Sequence, residues 1–393
     1  MKILVHDYAG HPFTAELSRK LAHFGHQVSH TFFGADSGPK GRLTHEVGDP
    51  EFLSFHSLDT RSEYSKKNFI KRRFGDVEYG KVLAAHIQDW SPDIVISGNA
   101  PTEVQEACLT MSKRVGAKFV YWCQDFYSIA VDELVRKKIP VFGALVGAWY
   151  KHLDKTQMER SDHIVLITEG FRQQTSKWRI PAEKISVIPN WGVLNEISLL
   201  TQDNPWSREH GLAGRSVCLY SGTLARKHDP FLLWQLASET EANVVVVSAG
   251  VGFDELKKLQ DAAPKGNLIL LPLQPFERFS EVLSTASVFV GVLEEEAGQF
   301  SVPSKVLSYL CANKPTVLSA PLENLASEII KTTGAGKVVA PGQREEFIQS
   351  VAYYLEHPVD AEKAGAAGRA YAEQHFDLDK VGRRFEDIFK RLN

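Results

Sequence analysis

Short, almost wholly apolar runs alternate along the chain with longer stretches in which apolar residues recur every third or fourth position. Runs at 2–7, 27–33, 94–97, 118–123 and 163–167 predict strands, and the stretches between them, such as 12–24 and 101–115, predict helices. Strands apolar on both faces belong to parallel sheets covered by helices on each side. The rhythm then restarts, with a strand at 216–220, a helix at 230–239, and strands at 243–248, 267–271, 288–293 and 316–319. Between the two series, the Pro- and Asn-bearing stretch from Ile188-Pro189-Asn190-Trp191 to Asn204-Pro205 carries no such pattern and predicts a hinge. The expected class is therefore α/β, with two Rossmann-like doubly wound domains facing a central cleft. The expected boundaries are 1–190 for the first domain, 191–205 for the hinge, 206–375 for the second domain, and 376–393 for a last helix returning to the first. Residues 34–61 lack clear periodicity and read as loop. Open sheets of this kind take ligands beyond the carboxyl ends of their strands, so the expected site is the cleft.

A chain of 393 residues with 43% hydrophobic and 24% charged residues can fill two cores. A formal net charge of −3 argues against the whole molecule being a nucleic-acid partner. The four cysteines form no CxxC pair and no zinc-ligand spacing, which fits a reducing, cytoplasmic setting. No apolar run approaches the ~20 residues of a membrane span. No metal is expected: Asp377-Leu378-Asp379 has the letters of a metal motif but precedes the helical stretch 380–392, where Asp reads as an N-cap.

Three segments of the second series carry candidate chemistry. Ser301-Val302-Pro303-Ser304-Lys305 follows a strand and the acidic run Glu294-Glu295-Glu296. Pro303 suits a first helical turn, whose unbonded N–H groups, with the Ser301 and Ser304 hydroxyls and the Lys305 charge, form an anion site. In Tyr220-Ser221-Gly222-Thr223-Leu224-Ala225-Arg226-Lys227, Gly222 admits close backbone approach, and Arg226 and Lys227 can neutralise phosphate. Val247-Ser248-Ala249-Gly250 runs another strand into a glycine turn. The bland alternatives are a capped helix and a solvated basic loop.

Together these segments resemble the retaining, GT-B-fold glycosyltransferases of family 4, and most closely their bacterial branch building O-antigen, colanic acid and other exopolysaccharides. The resemblance includes Asp7-Tyr8-Ala9-Gly10-His11-Pro12, Ala22-His23-Phe24-Gly25-His26-Gln27-Val28, Trp122-Cys123-Gln124-Asp125, Ile188-Pro189-Asn190-Trp191 and Pro303-Ser304-Lys305-Val306-Leu307. It implies a nucleoside diphosphate sugar donor, UDP-linked, and a saccharide or polyprenol-linked acceptor. It implies Arg226, Lys227, Ser304 and Lys305 at the donor diphosphate, with Gly10 giving it room. It implies Asp125, beside Gln124, near the reacting sugar, and Glu296, with Glu294 and Glu295, at the first position of the E-x7-E motif, which meets the sugar hydroxyls. The sequence departs from the family where the second glutamate of that motif aligns with Ser308, which can accept one ribose hydrogen bond but lacks a carboxylate's second oxygen. No further cofactor is implied.

A dehydrogenase would need G-x-G-x-x-G, whereas the opening turn has the one glycine, Gly10. A GT-B sugar-nucleotide epimerase and a non-catalytic sugar-nucleotide-binding partner of a transferase assembly remain as alternatives. Lastly, Lys66 to Arg73 sets five cations (Lys66, Lys67, Lys71, Arg72 and Arg73) around Phe69 and Ile70, and Arg136-Lys137-Lys138 precedes an apolar run with Phe142, Trp149 and Tyr150. Lys71, Arg72, Arg73 and Trp149 read as contacts to an anionic membrane face or a polyprenol-linked acceptor; the alternative is a buried helix beside a solvated loop.

Overall fold

The computed structural model describes residues 1–36, 40–61, 69–98, 100–138, 140–225, 228–295 and 304–393. The chain forms two compact units, one of residues 1–189 with 378–393 and the other of residues 190–377.

The first unit carries strands β1 (Lys2–Asp7), β2 (Gln27–Phe33), β3 (Leu53–Leu58), β4 (Ile94–Gly98), β5 (Lys118–Cys123), β6 (His163–Leu166) and β7 (Ile185–Val187). They pair in parallel in the order β3-β2-β1-β4-β5-β6-β7, each paired strand in register with its neighbour. The order reverses between β1 and β4, which makes their carboxyl ends the switch point at which such sheets open a crevice. Residues 34–61 are not all loop: β3 runs through them as an edge strand whose residues after Leu53 are only partly buried or exposed. An edge strand lacks the two-sided apolar cover that makes a central strand legible. Behind the sheet, Tyr8, Phe33 and Tyr79 pack ring to ring at 4.8–5.2 Å. The last helix, Leu378–Leu392, closes this unit by setting Phe385 edge-on to Trp122 at 5.1 Å and pairing Asp379 with Lys20 at 3.0 Å.

The second unit repeats the plan with β8 (Val217–Ser221), β9 (Asn243–Val247), β10 (Leu268–Leu271), β11 (Val288–Val292), β12 (Thr316–Ser319) and β13 (Gly336–Val339). Its parallel order is β10-β9-β8-β11-β12-β13, with the reversal between β8 and β11. Tyr220, Val244, Val246, Val290 and Phe347 are among the buried residues of its core. All four cysteines are free and buried. Among the described residues, no helix is long and apolar enough to cross a membrane.

Candidate active site

In the second unit, three of the segments singled out by sequence meet at the carboxyl ends of β8 and β9. The loop after β8 is laced to the loop after β9 by backbone bonds from Gly222 N–H to the Val247 carbonyl (3.0 Å) and Leu224 N–H to the Ala249 carbonyl (3.0 Å). Ser248 Oγ donates to the Gly222 carbonyl at 2.7 Å, and Gly252 N–H to the Leu224 carbonyl at 2.9 Å. Both glycines are obligatory here. Gly222 has φ +121° and Gly250 φ +113°, a region side-chain-bearing residues rarely adopt, and a Cβ on Gly250 would stand 2.8 Å from the Leu224 carbonyl oxygen.

Helix Ser304–Cys311 brings the third segment in. Ser304 is exposed at its first position, and Lys305 and Ser308 are half-buried. The Lys305 ammonium lies 4.1 Å from the Tyr220 ring centroid, donates to the Tyr220 hydroxyl and bonds the Thr223 carbonyl at 3.1 Å. Its Cε is 3.4 Å from the point a Cβ on Gly222 would occupy. Tyr309, stacked on Phe289 at 4.1 Å, accepts the Ser221 N–H at 2.9 Å and donates to the Ser221 carbonyl at 3.1 Å. His228 Nδ1 accepts the Ala225 N–H at 2.8 Å and so fixes the far side of the loop. Tyr220, Tyr309 and His228 thus position the site, a role the sequence reading did not assign. The structure brings Gly222, Gly250 and Lys305 together, a positive charge set among loop backbones where an anion can approach. Arg226, Lys227, Glu296 and Ser301 lie outside the described residues.

In the first unit, the carboxyl end of β1 holds a group that sequence reasoning passed over. Asp7 is buried, and its carboxylate accepts the His11 N–H, the Thr14 hydroxyl at 2.7 Å, and the His11 ring Nδ1 at 3.1 Å. Burial would push the Asp7 carboxyl up, but His11 and these hydrogen bonds hold it well below the usual carboxylate range. Burial likewise works to lower His11, yet Asp7, with Asp36 and Asp125 beyond it, raises the imidazole above its ordinary value. The His11 side chain remains 25% exposed. Its neighbours differ: burial pushes His6, bonded to Ser97 Oγ and Tyr79, down to about 3, and His30 down to about 4. The Asp-x-x-x-His spacing around Gly10 was the available signal.

Gly10 lies in the same turn, its N–H on the Asp7 carbonyl at 3.1 Å and its carbonyl accepting Gly41 N–H at 2.9 Å. Leu43 approaches to within 2.6 Å of where a Cβ would stand, so the turn is packed against the chain itself. Asp125 is exposed just beyond β5, within electrostatic reach of His11. Deeper in, Tyr8 donates to Asp76 at 2.7 Å, and burial pushes that carboxyl up to about 6.

On the helices behind, Lys71 and Arg73 are exposed, but Arg72 is half-buried, 3.7 Å from Asp76 and over the Tyr127 ring. Trp149 is exposed, and so are its neighbours Leu145 and Val146, while Tyr150 is buried. Neither a wholly buried helix nor an uninterrupted basic face describes this region. The side chains of Phe69, Ile70, Lys137, Lys138 and Phe142, and residues 66–68, lie outside the described set.

Residues 10–191 match the Glycosyl transferase 4-like domain, and residues 203–371 match the Glycosyl transferases group 1 domain. Among solved structures, a sucrose-phosphate synthase from Thermosynechococcus elongatus superposes with a TM-score of 0.75 at 13% identity, covering 100% of this chain and 99% of its own. HepE of Anabaena in complex with UDP-glucose gives 0.73 at 13% identity over 100% of both chains. A glycosyltransferase from Rickettsia africae gives 0.66 at 16% identity, covering 100% of this chain and 98% of its own. The chain is a GT-B-fold glycosyltransferase. No curated protein sequence matches it. In this glycosyltransferase the group 1 domain contains the Gly222–Gly250–Lys305 cluster, and the 4-like domain contains His11 and Asp125, with Asp7 just ahead of it in the same compact unit.

Proposed function

We propose that this glycosyltransferase moves a sugar, with retention, from a UDP-sugar to a saccharide or lipid-linked acceptor in the building of a cell-surface polysaccharide. The observation that carries the reading is the cluster of Lys305, Gly222 and Gly250 at the carboxyl ends of β8 and β9. As the glycosidic bond breaks, the departing diphosphate gains charge, and a fixed cation beside loop N–H groups stabilises that charge as it develops. Arg226 and Lys227, next in sequence after Ala225, and Ser301 and Ser304 are assigned to the same diphosphate, Glu296 to the sugar hydroxyls and Ser308 to the ribose. These cations take the place of a metal, so the reaction needs none. That HepE was crystallised with UDP-glucose, and with UDP and glucose, supports the donor class.

The acceptor is assigned to the first unit, where Asp125 is placed near the reacting sugar and Gly10 gives the donor diphosphate room, and is presented at the anionic cytoplasmic face of a membrane. Support comes from exposed Phe74 (73%) and Leu145 (67%), with Trp149, Lys71 and Arg73. Arg73 and Tyr150 both bond Glu103, at 3.0 and 2.6 Å, which ties the helix bearing Phe74 to the helix bearing Trp149.

The test is a radiolabelled UDP-sugar panel incubated with enzyme and lipid extract. Label passing to lipid or saccharide supports the reading. Label that changes sugar identity without an acceptor assigns an epimerase, and label that stays on the nucleotide assigns a binding partner.

A further inference from the structure

Helix Pro230–Glu239 has two faces. Leu232, Leu233, Leu236 and Ala237 are buried in the core of the second unit. The other face presents Phe231, Trp234, Gln235 and Ser238, whose spacing of three and four residues makes one continuous stripe. That stripe lines a cavity of about 640 Å³ together with Gly342, Gln343 and the helix start Arg344-Glu345, with Lys265 and Glu239 completing it.

The lining is arranged by contacts of its own. Phe231 and Trp234 lie near-parallel, centroids 5.6 Å apart at 26°. Arg344 sits 4.9 Å from the Phe231 centroid and Lys265 4.6 Å from that of Trp234. Trp234 Nε1 is fixed by the Ala263 carbonyl at 3.2 Å, and Gln235 donates to Glu239 at 2.8 Å. A paired aromatic surface meets the C–H side of a pyranose ring, while carboxylates and amides take hydroxyl hydrogens and the cations meet hydroxyl or ring oxygens. Two cations face two carboxylates, so the lining has no net charge and does not select an anion. Eight residues of helix extend ~12 Å, more than one pyranose needs.

We propose that this groove is a second saccharide site, separate in its residues from the donor cluster, which takes an uncharged oligosaccharide and holds a chain to the enzyme. The proposal rests on the transferase reading only for the choice of saccharide as ligand.

Native gels containing dextran, galactomannan, polygalacturonate or oligothymidylate test it, with the wild-type protein and Phe231→Ala and Gln235→Ala variants run side by side. UDP affinity and melting temperature are measured on the same preparations. The expected result is retardation by at least one neutral polysaccharide, weakened fivefold or more in both variants, with UDP affinity and melting temperature unchanged. Unretarded migration in both neutral gels overturns the proposal, as does equal retardation of wild type and variants. Stronger retardation by polygalacturonate or oligothymidylate than by the neutral chains also overturns it, assigning an anionic or nucleobase ligand. Saccharide binding that fails while UDP still binds leaves the transferase reading standing; the reverse outcome separates the two in the other direction.

Discussion

Replacing Lys305 by Met isolates the charge at the heart of the donor assignment. Methionine keeps an unbranched stem against Gly222 and the Tyr220 ring, so packing changes little, while the ammonium and its bonds to Tyr220 and Thr223 are lost. A hydrogen bond from a charged donor contributes ~1.5–3 kcal/mol, and a decade in affinity is ~1.4 kcal/mol, so UDP should bind about tenfold to a hundredfold more weakly. Tyr220→Phe tests the tether rather than the charge. It removes one acceptor from the ammonium and leaves the Thr223 carbonyl, so a neutral hydrogen bond's ~1 kcal/mol, about fivefold, is the expected loss. The assay is calorimetric titration of UDP at two ionic strengths. Wild-type affinity should fall as salt rises, and the Lys305→Met protein should show a shallower dependence. An affinity for UDP that Lys305→Met leaves unchanged, in protein that melts as wild type does, refutes the placement of the donor diphosphate at this cluster.

Transfer should survive EDTA; activity abolished by chelation and restored by magnesium or manganese contradicts metal-independent stabilisation of the leaving group. Asp125→Asn should reduce transfer more than donor binding, and equal losses, or none, count against its place at the reacting sugar. Liposome co-sedimentation should need anionic lipid, weaken with salt, and fall in a Lys71→Glu, Arg73→Glu double variant; binding indifferent to all three removes the membrane assignment. Stability should rise between about pH 4 and 6. His6, His30 and His163, lowered to about 3, 4 and 4 by burial, are neutral when folded and must protonate on unfolding below ~6.5, so their contribution is lost as pH falls. Asp76 and Asp154, raised by burial to about 6, act oppositely, being favoured in acid and losing their contribution as pH rises through 6. Three protons against two among these groups, with burial lowering His26, His56 and His86 in the same sense as the other histidines, leave a net positive slope of no less than about 1 kcal/mol per pH unit, readable in urea midpoints. A flat profile means that these groups do not titrate as their burial requires.

How legible the fold was depended on where each strand lies in its sheet. Most strands away from the edges, such as Lys2–Asp7, Gln27–Phe33 and Lys118–Cys123, are covered on both sides, so nearly every residue is apolar or buried and the run shows in the sequence. The strands missed are edges. Leu53–Leu58 carries Ser, His and Ser on a partly wetted surface, Ile185–Val187 spans three residues, and Gly336–Val339 opens with Gly and Lys. Each pairs with the strand just before it in the chain, and that pairing, rather than an apolar run of its own, fixes its place. The Gly222–Gly250–Lys305 cluster was legible for a related reason. Glycines at +121° and +113° and a lysine at a helix start are local signals, whereas the hold of Tyr309 on Ser221 spans 88 residues.

The acid–base character of the first unit shows the same limit at a finer scale. His6, His11 and His30 come from the first two strands and the turn between them, and nothing in residue type separates them. Burial alone would drive all three neutral, as it does His6 and His30. His11 escapes because the chain reverses at Gly10 and carries its ring back onto the Asp7 carboxylate, whose other bonds, to the His11 N–H and Thr14, are short-range and hold it ionised. The exposed Asp125, chosen from sequence for its place after β5, then acts on the same imidazole through its field. A carboxylate that raises a neighbouring imidazole favours the protonated ring, which can donate to an acceptor's oxygen while staying oriented by Asp7. Asp7 supplies the largest part of that rise, and Asp36 and then Asp125 add smaller parts. Because Asp7 dominates the rise at His11, the ring should titrate nearly as in wild type when Asp125 becomes Asn, and a loss of transfer in that variant then reports on Asp125 itself; a His11 titration that moves as far as it does on loss of Asp7 contradicts this ordering.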